Sequence, residues 1–252
     1  MSKLISIITA SYNSSQYIQA VYDSLSAQSY ENWEWLVTDD CSTDETRNIL
    51  NRISLADKRV VFFCNKINSG AAVSRNVSLS KSNGEYIAFI DSDDLWEKNK
   101  LELQLNFMKD NNFDFSFTSF KVVDSNGISS GKVIDNFKNV KKVNYNDMLK
   151  KKATLGCSTV MLKKSSFGDI SMPLLRTGQD YALWLKLLKS CKCAVLYPKP
   201  LTSYRILPNS ISRNKFKKAM RQWEIYRNVE ELKLSKSIVC FFHYGYRAIF
   251  RR

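Results

Sequence analysis

Short apolar runs that end in small polar or acidic residues alternate with amphipathic segments through the first half of the chain. Leu4 to Ala10 is rich in β-branched residues and predicts a buried strand. Ser11-Tyr12-Asn13-Ser14-Ser15 then supplies turn and capping groups for a helix to about Ala27, on which Ile18, Val21, Tyr22 and Leu25 keep helical spacing. Trp33 to Thr38 predicts a second strand, closed by Asp39-Asp40, and Cys41 to Thr46 feeds a helix carrying Ile49, Leu50 and Ile53. Val60 to Cys64 predicts a third strand. Asn68-Ser69-Gly70 opens a helix through Ala71, Ala72, Arg75 and Leu79. Glu85 to Ile90, introduced by the turn pair Asn83-Gly84, predicts a central buried strand, with a helix expected at Leu95 to Asn111.

The second half changes character. Phe113 to Val123 reads as a strand that opens a hairpin through Asp124-Ser125-Asn126-Gly127 to Gly131–Ile134. Lys138 to Lys152 is basic, with a short helix expected at Tyr145 to Lys151. Ser158 to Lys163, Ala194 to Tyr197 and Leu201 to Ile206 are further strands, and Gln179 to Ser190 is a helix with Tyr181, Trp184, Leu185 and Leu188 as its apolar stripe. Alternating strands and helices predict an α/β fold with a mostly parallel central sheet covered on both faces.

Length adds that 252 residues suit one α/β unit with a tail. The expected division is 1–212 for the globular domain, about 1–112 forming a nucleotide-binding half and 113–212 an acceptor-binding half, with 213–252 a basic amphipathic helical tail. The net charge of +14 calls for an anionic partner: nucleic acid, phospholipid headgroups or a phosphorylated substrate. Six cysteines without C-x-x-C spacing and a single histidine, His243, argue against structural zinc. The apolar part of MSKLISIITASYN is too short for a secretory signal, so a cytoplasmic protein with reduced thiols is expected. The tail from Arg213 carries eleven basic residues against three glutamates, a net +8, together with Ile238, Phe241, Phe242, Ile249 and Phe250 at helical spacing. That composition predicts peripheral attachment to an anionic membrane surface, the alternative being a terminal helix packed on the domain.

Candidate chemistry sits where the central strand leaves the sheet, in Asp91-Ser92-Asp93-Asp94. Three acids within four residues repel one another unless a cation joins them. Mn²⁺ or Mg²⁺ takes such oxygen ligands, one or two carboxylates plus substrate phosphates. The competing account of the same residues is a solvated acidic turn that caps a helix.

Taken in order, IITASYN, WLVTDDCSTDET, NSGAAVSRN, GEYIAFIDSDD and GQDYALWLKL resemble the bacterial family 2 inverting glycosyltransferases, which have a GT-A fold and build O-antigen and other surface polysaccharides. The resemblance covers about Leu4 to Ser212. It implies that Thr9 and Tyr12 face the nucleobase and that Asp40, with Asp39, accepts the uracil N–H. It places Arg75 near the nucleotide, Asp91 near the ribose, Ser92 within the D-x-D motif, Asp93 on the metal and Asp180 as catalytic base. It further implies a UDP-sugar donor, a lipid-linked sugar diphosphate acceptor and a place at the inner face of the cytoplasmic membrane. Three positions depart from the family pattern: Ala10 for proline, Gln179-Asp180 for Glu-Asp, and Leu207 where histidine is frequent. Rival classes fare worse. A sugar nucleotidyltransferase would carry glycine and arginine in the first loop, and Thr9 to Ser15 has neither. Dinucleotide and P-loop glycine motifs are absent. A nucleic-acid-binding module would not set aspartates at its binding face.

Overall fold

The structure is a computed structural model that describes residues 2–139, 141–207 and 215–250, the side chains of residues 215, 249 and 250 excepted. The first half builds β1 (Ile5–Ser11), α1 (Ile18–Ser26), β2 (Trp33–Asp39), α2 (Thr46–Ala56), β3 (Val60–Cys64), α3 (Ala71–Ser80) and β4 (Tyr86–Phe89). These strands lie in the order β3-β2-β1-β4 and pair in parallel. Period-two alternation splits their side chains between two cores. Ile5, Ile7, Trp35, Val37, Ala88 and Ile90 face α1 and α2, and Ile8, Leu36, Ile87 and Phe89 face α3 and the second half. Both faces are therefore dry, which is why these strands read as near-continuous apolar runs.

Beyond β4 the sheet is mixed. After β5 (Leu95–Trp96) and α4 (Lys100–Asp110) come β6 (Phe115–Val123), β7 (Ser129–Ile134), β8 (Lys142–Val143), α5 (Tyr145–Leu149), β9 (Val160–Lys163), α6 (Gln179–Leu188) and β10 (Ala194–Arg205). β9 inserts between β4 and β6, antiparallel to both. β10 runs parallel to β6. The expected α/β sheet is present, all-parallel through β4; beyond β4 the parallel β6–β10 pair is joined to it through β9, which is antiparallel to both of its neighbours. Two local expectations change. Leu95 and Trp96 do not start a helix: they pair with Ser203 and Thr202, and the Trp96 indole donates to the Ser158 carbonyl at 2.7 Å. Ala194–Tyr197 and Leu201–Ile206 form one strand, with register shifts around Pro200, where the missing N–H groups of Pro198 and Pro200 break the ladder.

The tail is two helices, α7 (Lys215–Glu224) and α8 (Leu234–Phe250), joined through a π-helical turn at Ile225–Val229. Ile225, Tyr226, Leu232 and Cys240 enter the larger core. Phe241, expected in an outward aromatic face, turns inward against Trp223 with ring centroids 5.4 Å apart, while Phe242 is exposed. The start of the tail and the stretch from Pro208 to Ser212 lie outside the described residues, as do the side chains of Ile249 and Phe250.

Gly84 sets β4 against β1. Its N–H donates to Ser6 Oγ at 2.7 Å, and a Cβ at this position would stand 2.5 Å from the Ser6 nitrogen and 2.8 Å from the Tyr86 carbonyl oxygen. Gly84→Ala should lower the free energy of unfolding by about 1–3 kcal/mol, the usual cost of overpacking, read as an earlier urea midpoint with unchanged slope.

Candidate active site

The strand order reverses between β1 and β4, and ligands of open α/β sheets bind in the crevice at such a switch point. The loops flanking it are tied together by Ser14 and Ser92, whose hydroxyl oxygens are 2.7 Å apart. Thr9 lies inside β1 and is fully buried. Its hydroxyl donates to the Ile90 carbonyl at 2.8 Å and accepts from the Trp35 indole at 2.9 Å. Its side chain therefore joins strands and does not face a nucleobase. Tyr12 and Asn13 are exposed residues of this loop, and Ser11, next to Tyr12, keeps a buried hydroxyl without a partner among the described residues.

Asp39 and Asp40 end β2, in different settings. Asp40 accepts from Asn65 Nδ2 and the Ser69 N–H, both at 2.8 Å, through Oδ1, and from the Gly70 N–H at 2.7 Å through Oδ2. Burial by itself would raise its pKa, yet these donors outweigh burial and hold the carboxyl below the usual value. Asp39 Oδ2 accepts from the Ser42 N–H at 2.9 Å and from Arg47 Nε at 2.7 Å, while Oδ1 is buried without a partner. Each carboxylate keeps lone pairs to spare, and Asp40 additionally fixes the loop that starts α3.

At the end of β4, Asp91 accepts from Arg75 Nη2 at 2.5 Å. Asp94 is wholly buried, accepting from Ser158 Oγ at 2.6 Å and from the Arg205 N–H at 2.9 Å. Ser158 also receives the Asp91 N–H at 3.0 Å, and Arg205 Nε donates to the Asp93 carbonyl at 2.8 Å. The antiparallel run of β9 brings Ser158, just before its first residue, beside the end of β4. Burial first, then the charge of Asp91, pushes Asp93 up to about 6 against the opposing pull of Arg205 and Arg75. Burial and the charges of Asp93 and Asp91 likewise hold Asp94 well above the ordinary carboxylate value.

Asp180 sits in the first turn of α6, behind Gly178 in the left-handed region at φ 75°. Among the described residues its carboxylate has no hydrogen-bond or ion-pair partner. Arg75 feels the charges of both Asp91 and Asp180, so the base position and the acidic turn share one basic side chain. Among the described residues no three His, Cys, Asp or Glu side chains converge as a preformed metal cage. The site nevertheless fits a hard divalent cation: Asp91 and Asp93 are oxygen donors whose repulsion such an ion relieves, with remaining positions for water and phosphate. A groove between α5 and α8, lined by Leu149, Lys150, Lys236 and Val239 among others, shares no residue with this crevice.

Residues 6–170 match the glycosyl transferase family 2 model. The chain belongs to that family. The glycosyltransferase is 42% identical over 249 residues, 99% of this chain and 97% of the relative, to TuaG of Bacillus subtilis (strain 168), named for teichuronic acid biosynthesis. It is 37% identical over 238 residues, 92% of this chain and 89% of the relative, to WfgD of Escherichia coli, named UDP-Glc:alpha-D-GlcNAc-diphosphoundecaprenol beta-1,3-glucosyltransferase. In fold it is similar to Staphylococcus aureus TarS 1–349 in complex with UDP-GlcNAc, with TM-score 0.74, 23% identity, 90% of this chain and 65% of that chain covered. The glycosyltransferase therefore has the fold expected from its motifs.

Sequence reasoning missed Ser158, Arg205 and the buried role of Asp94. None of the three could have been singled out locally, since even the strand that follows Asp94 forms only by pairing with Thr202 and Ser203. Because Asp40 takes three donors, Asp40→Asn turns an acceptor into a donor facing the backbone N–H of Ser69 or Gly70. The expected cost is about 1–3 kcal/mol, measurable as a lower thermal midpoint in the absence of any ligand.

Proposed function

We propose that this protein is an inverting hexosyltransferase that moves glucose, galactose or an N-acetyl form from a UDP-sugar to a hydroxyl of a polyprenyl-diphosphate-linked sugar during surface polysaccharide assembly. The observation that carries the reading is an unpartnered Asp180 sharing Arg75 with the strand-end pair of Asp91 and Asp93. The name of WfgD, with its UDP-Glc donor and diphosphoundecaprenol acceptor, supports the substrate class.

The residues divide the work as follows. Asp39 and Asp40 retain acceptor lone pairs for the uracil N–H, and Tyr12 stands at the mouth where a base can stack. Arg75 holds Asp91 toward the ribose and adds positive charge beside the diphosphate. Asp93, with Asp91 nearby, would hold Mn²⁺ or Mg²⁺, which would neutralise charge building on the departing diphosphate. Asp180 accepts the proton of the attacking hydroxyl as its oxygen bonds to the anomeric carbon, while the old bond leaves with its electron pair on UDP. A single displacement inverts the anomeric configuration, in keeping with one base and no second nucleophile.

The reading extends to the membrane. Leu234, Ile238, Phe242 and Tyr246 are exposed and recur every four residues along α8, so they form one outward stripe. Lys233, Lys236 and Arg247 belong to the same segment, with Lys236 on the face turned to the Tyr145 ring of α5 at 5.7 Å. No helix among the described residues is long and apolar enough to cross a membrane. A stripe at headgroup depth with cations worth about 1 kcal/mol each at an anionic leaflet is suited to peripheral attachment at the inner face of the cytoplasmic membrane, where a lipid-linked acceptor is met.

Two experiments test these assignments. Calorimetric titration with UDP should show affinity gained from Mn²⁺ at pH 7.5, lost in Asp93→Ala. Protons compete with the cation for a carboxyl whose folded pKa is raised to about 6, so the gain should fade as pH drops through that value. Asp180→Asn should bind UDP normally and lose transfer by on the order of 10²-fold or more; transfer close to the parent rate would move the base elsewhere. For the membrane, Ile238→Asp combined with Phe242→Asp should abolish sedimentation with phosphatidylglycerol vesicles while leaving transfer to a soluble acceptor intact.

A further inference from the structure

The tail does more in this fold than present an outer stripe. Its first helix, α7, crosses directly over Gly178, the residue that starts the helix bearing Asp180. A Cβ on Gly178 would stand 3.0 Å from Arg221 Cδ and 3.1 Å from Ile225 Cδ1. Below this contact, Tyr181 donates to the Met148 carbonyl at 3.0 Å, and Tyr226 donates to the adjacent Leu149 carbonyl at 2.5 Å. Both helices are therefore fixed on the last turn of α5, and the Arg221 side chain lies over the helix start two residues from the base.

Arg221 does not stand alone. Lys218 precedes it by three residues, one helical turn, so the two cations are neighbours on a single face. Among the described residues neither has a carboxylate within ion-pair distance. The groups whose charge Arg221 feels are Asp180 first, then Tyr244 and Glu224. Lys218 is an exposed residue, yet desolvation by surrounding protein atoms, with the charge of Arg221 behind it, holds its ammonium below the ordinary lysine value. Desolvation likewise lowers Arg221, and Asp180 opposes it. Two adjacent cations on a rigid helix repel unless an anion joins them, and phosphate oxygens make the strongest charge-assisted bonds available to such a pair.

We propose that α7 completes the acceptor site, with Lys218 and Arg221 seating the diphosphate of a lipid-linked acceptor sugar beside Asp180. The proposal rests on the acceptor class inferred above and adds to it the residues that read it. In an inverting displacement the acceptor enters on the face opposite the leaving group, so cations grouped with the base serve the acceptor, and Arg75 with the strand-end acids serves the donor. The acceptor carries its diphosphate one sugar ring from the hydroxyl that attacks, which matches cations lying over the first turn of the base helix. Phe216 and Met220 are exposed on another face of the same helix and take no part in this seat.

The test compares two synthetic acceptors with UDP-glucose as donor and the full chain as enzyme. One is a phenoxyundecyl diphosphate α-GlcNAc, the other the matched phenoxyundecyl α-GlcNAc glycoside without phosphate. Arg221→Gln and Lys218→Gln should each raise KM for the diphosphate acceptor by about 10-fold, the loss of one charge-assisted bond. KM for the neutral glycoside and for UDP-glucose should not change, and Arg221→Lys should restore part of the loss. Should Arg221→Gln fail to fold, the exposed Lys218→Gln carries the comparison. Equal losses on both acceptors would overturn the proposal, leaving Arg221 as a positioning partner of Asp180. An effect seen only with anionic vesicles present would assign the pair to phospholipid headgroups and overturn it too. A parent enzyme that glucosylates the neutral glycoside and ignores the diphosphate acceptor would defeat the acceptor reading itself, and the seat with it.

Discussion

Three carboxylates crowd into the partly buried turn after β4, and the surrounding elements are placed to contain their repulsion. Asp91 is held by Arg75 from α3, and Asp94 by the Ser158 hydroxyl and the Arg205 N–H. Asp93 is left with its charge only partly offset, which is the condition for binding a cation. Removing any one of these contacts would leave a desolvated acid uncompensated, a far larger penalty than a lost surface pair. The turn can therefore stay acidic in the folded state only because β9 and β10 end where they do.

That dependence explains the mixed sheet. A purely parallel extension would bring the end of a new strand to the carboxyl side of β4, whereas antiparallel β9 brings its beginning, and with it Ser158. The parallel pairing of β10 with β6 delivers Arg205 to the same edge. Arg75, buried and paired with Asp91, also feels the charge of Asp180. The tail contributes from outside the sheet, with one face closing the larger core and another left apolar toward solvent. Core packing and an exposed apolar stripe thus occupy different faces of the same tail.

Family membership rests on motif order and on the match over residues 6–170, while roles rest on geometry. Thr9 shows the difference. It lies beside the nucleotide loop in sequence, yet its hydroxyl is consumed by Ile90 and Trp35. Arg205 shows the converse, a residue of no special local pattern whose amide donates to the Asp94 carboxylate and whose guanidinium donates to the Asp93 carbonyl.

The sequence by itself determined the first four strands and their helices, the acidic turn and the place of Asp180. Those features are local: period-two apolar runs, capping residues and acids at strand ends are written within a few residues of one another. It also determined the charge and amphipathic character of the tail, which are properties of composition. Tertiary structure alone decided that Leu95 and Trp96 form a strand, because their partners are more than a hundred residues away at Thr202 and Ser203. It alone decided that Phe241 faces in and Phe242 out, and that Arg221 lies over Gly178 at the start of α6. Those outcomes depend on which distant surface a side chain meets, and no local propensity encodes that meeting.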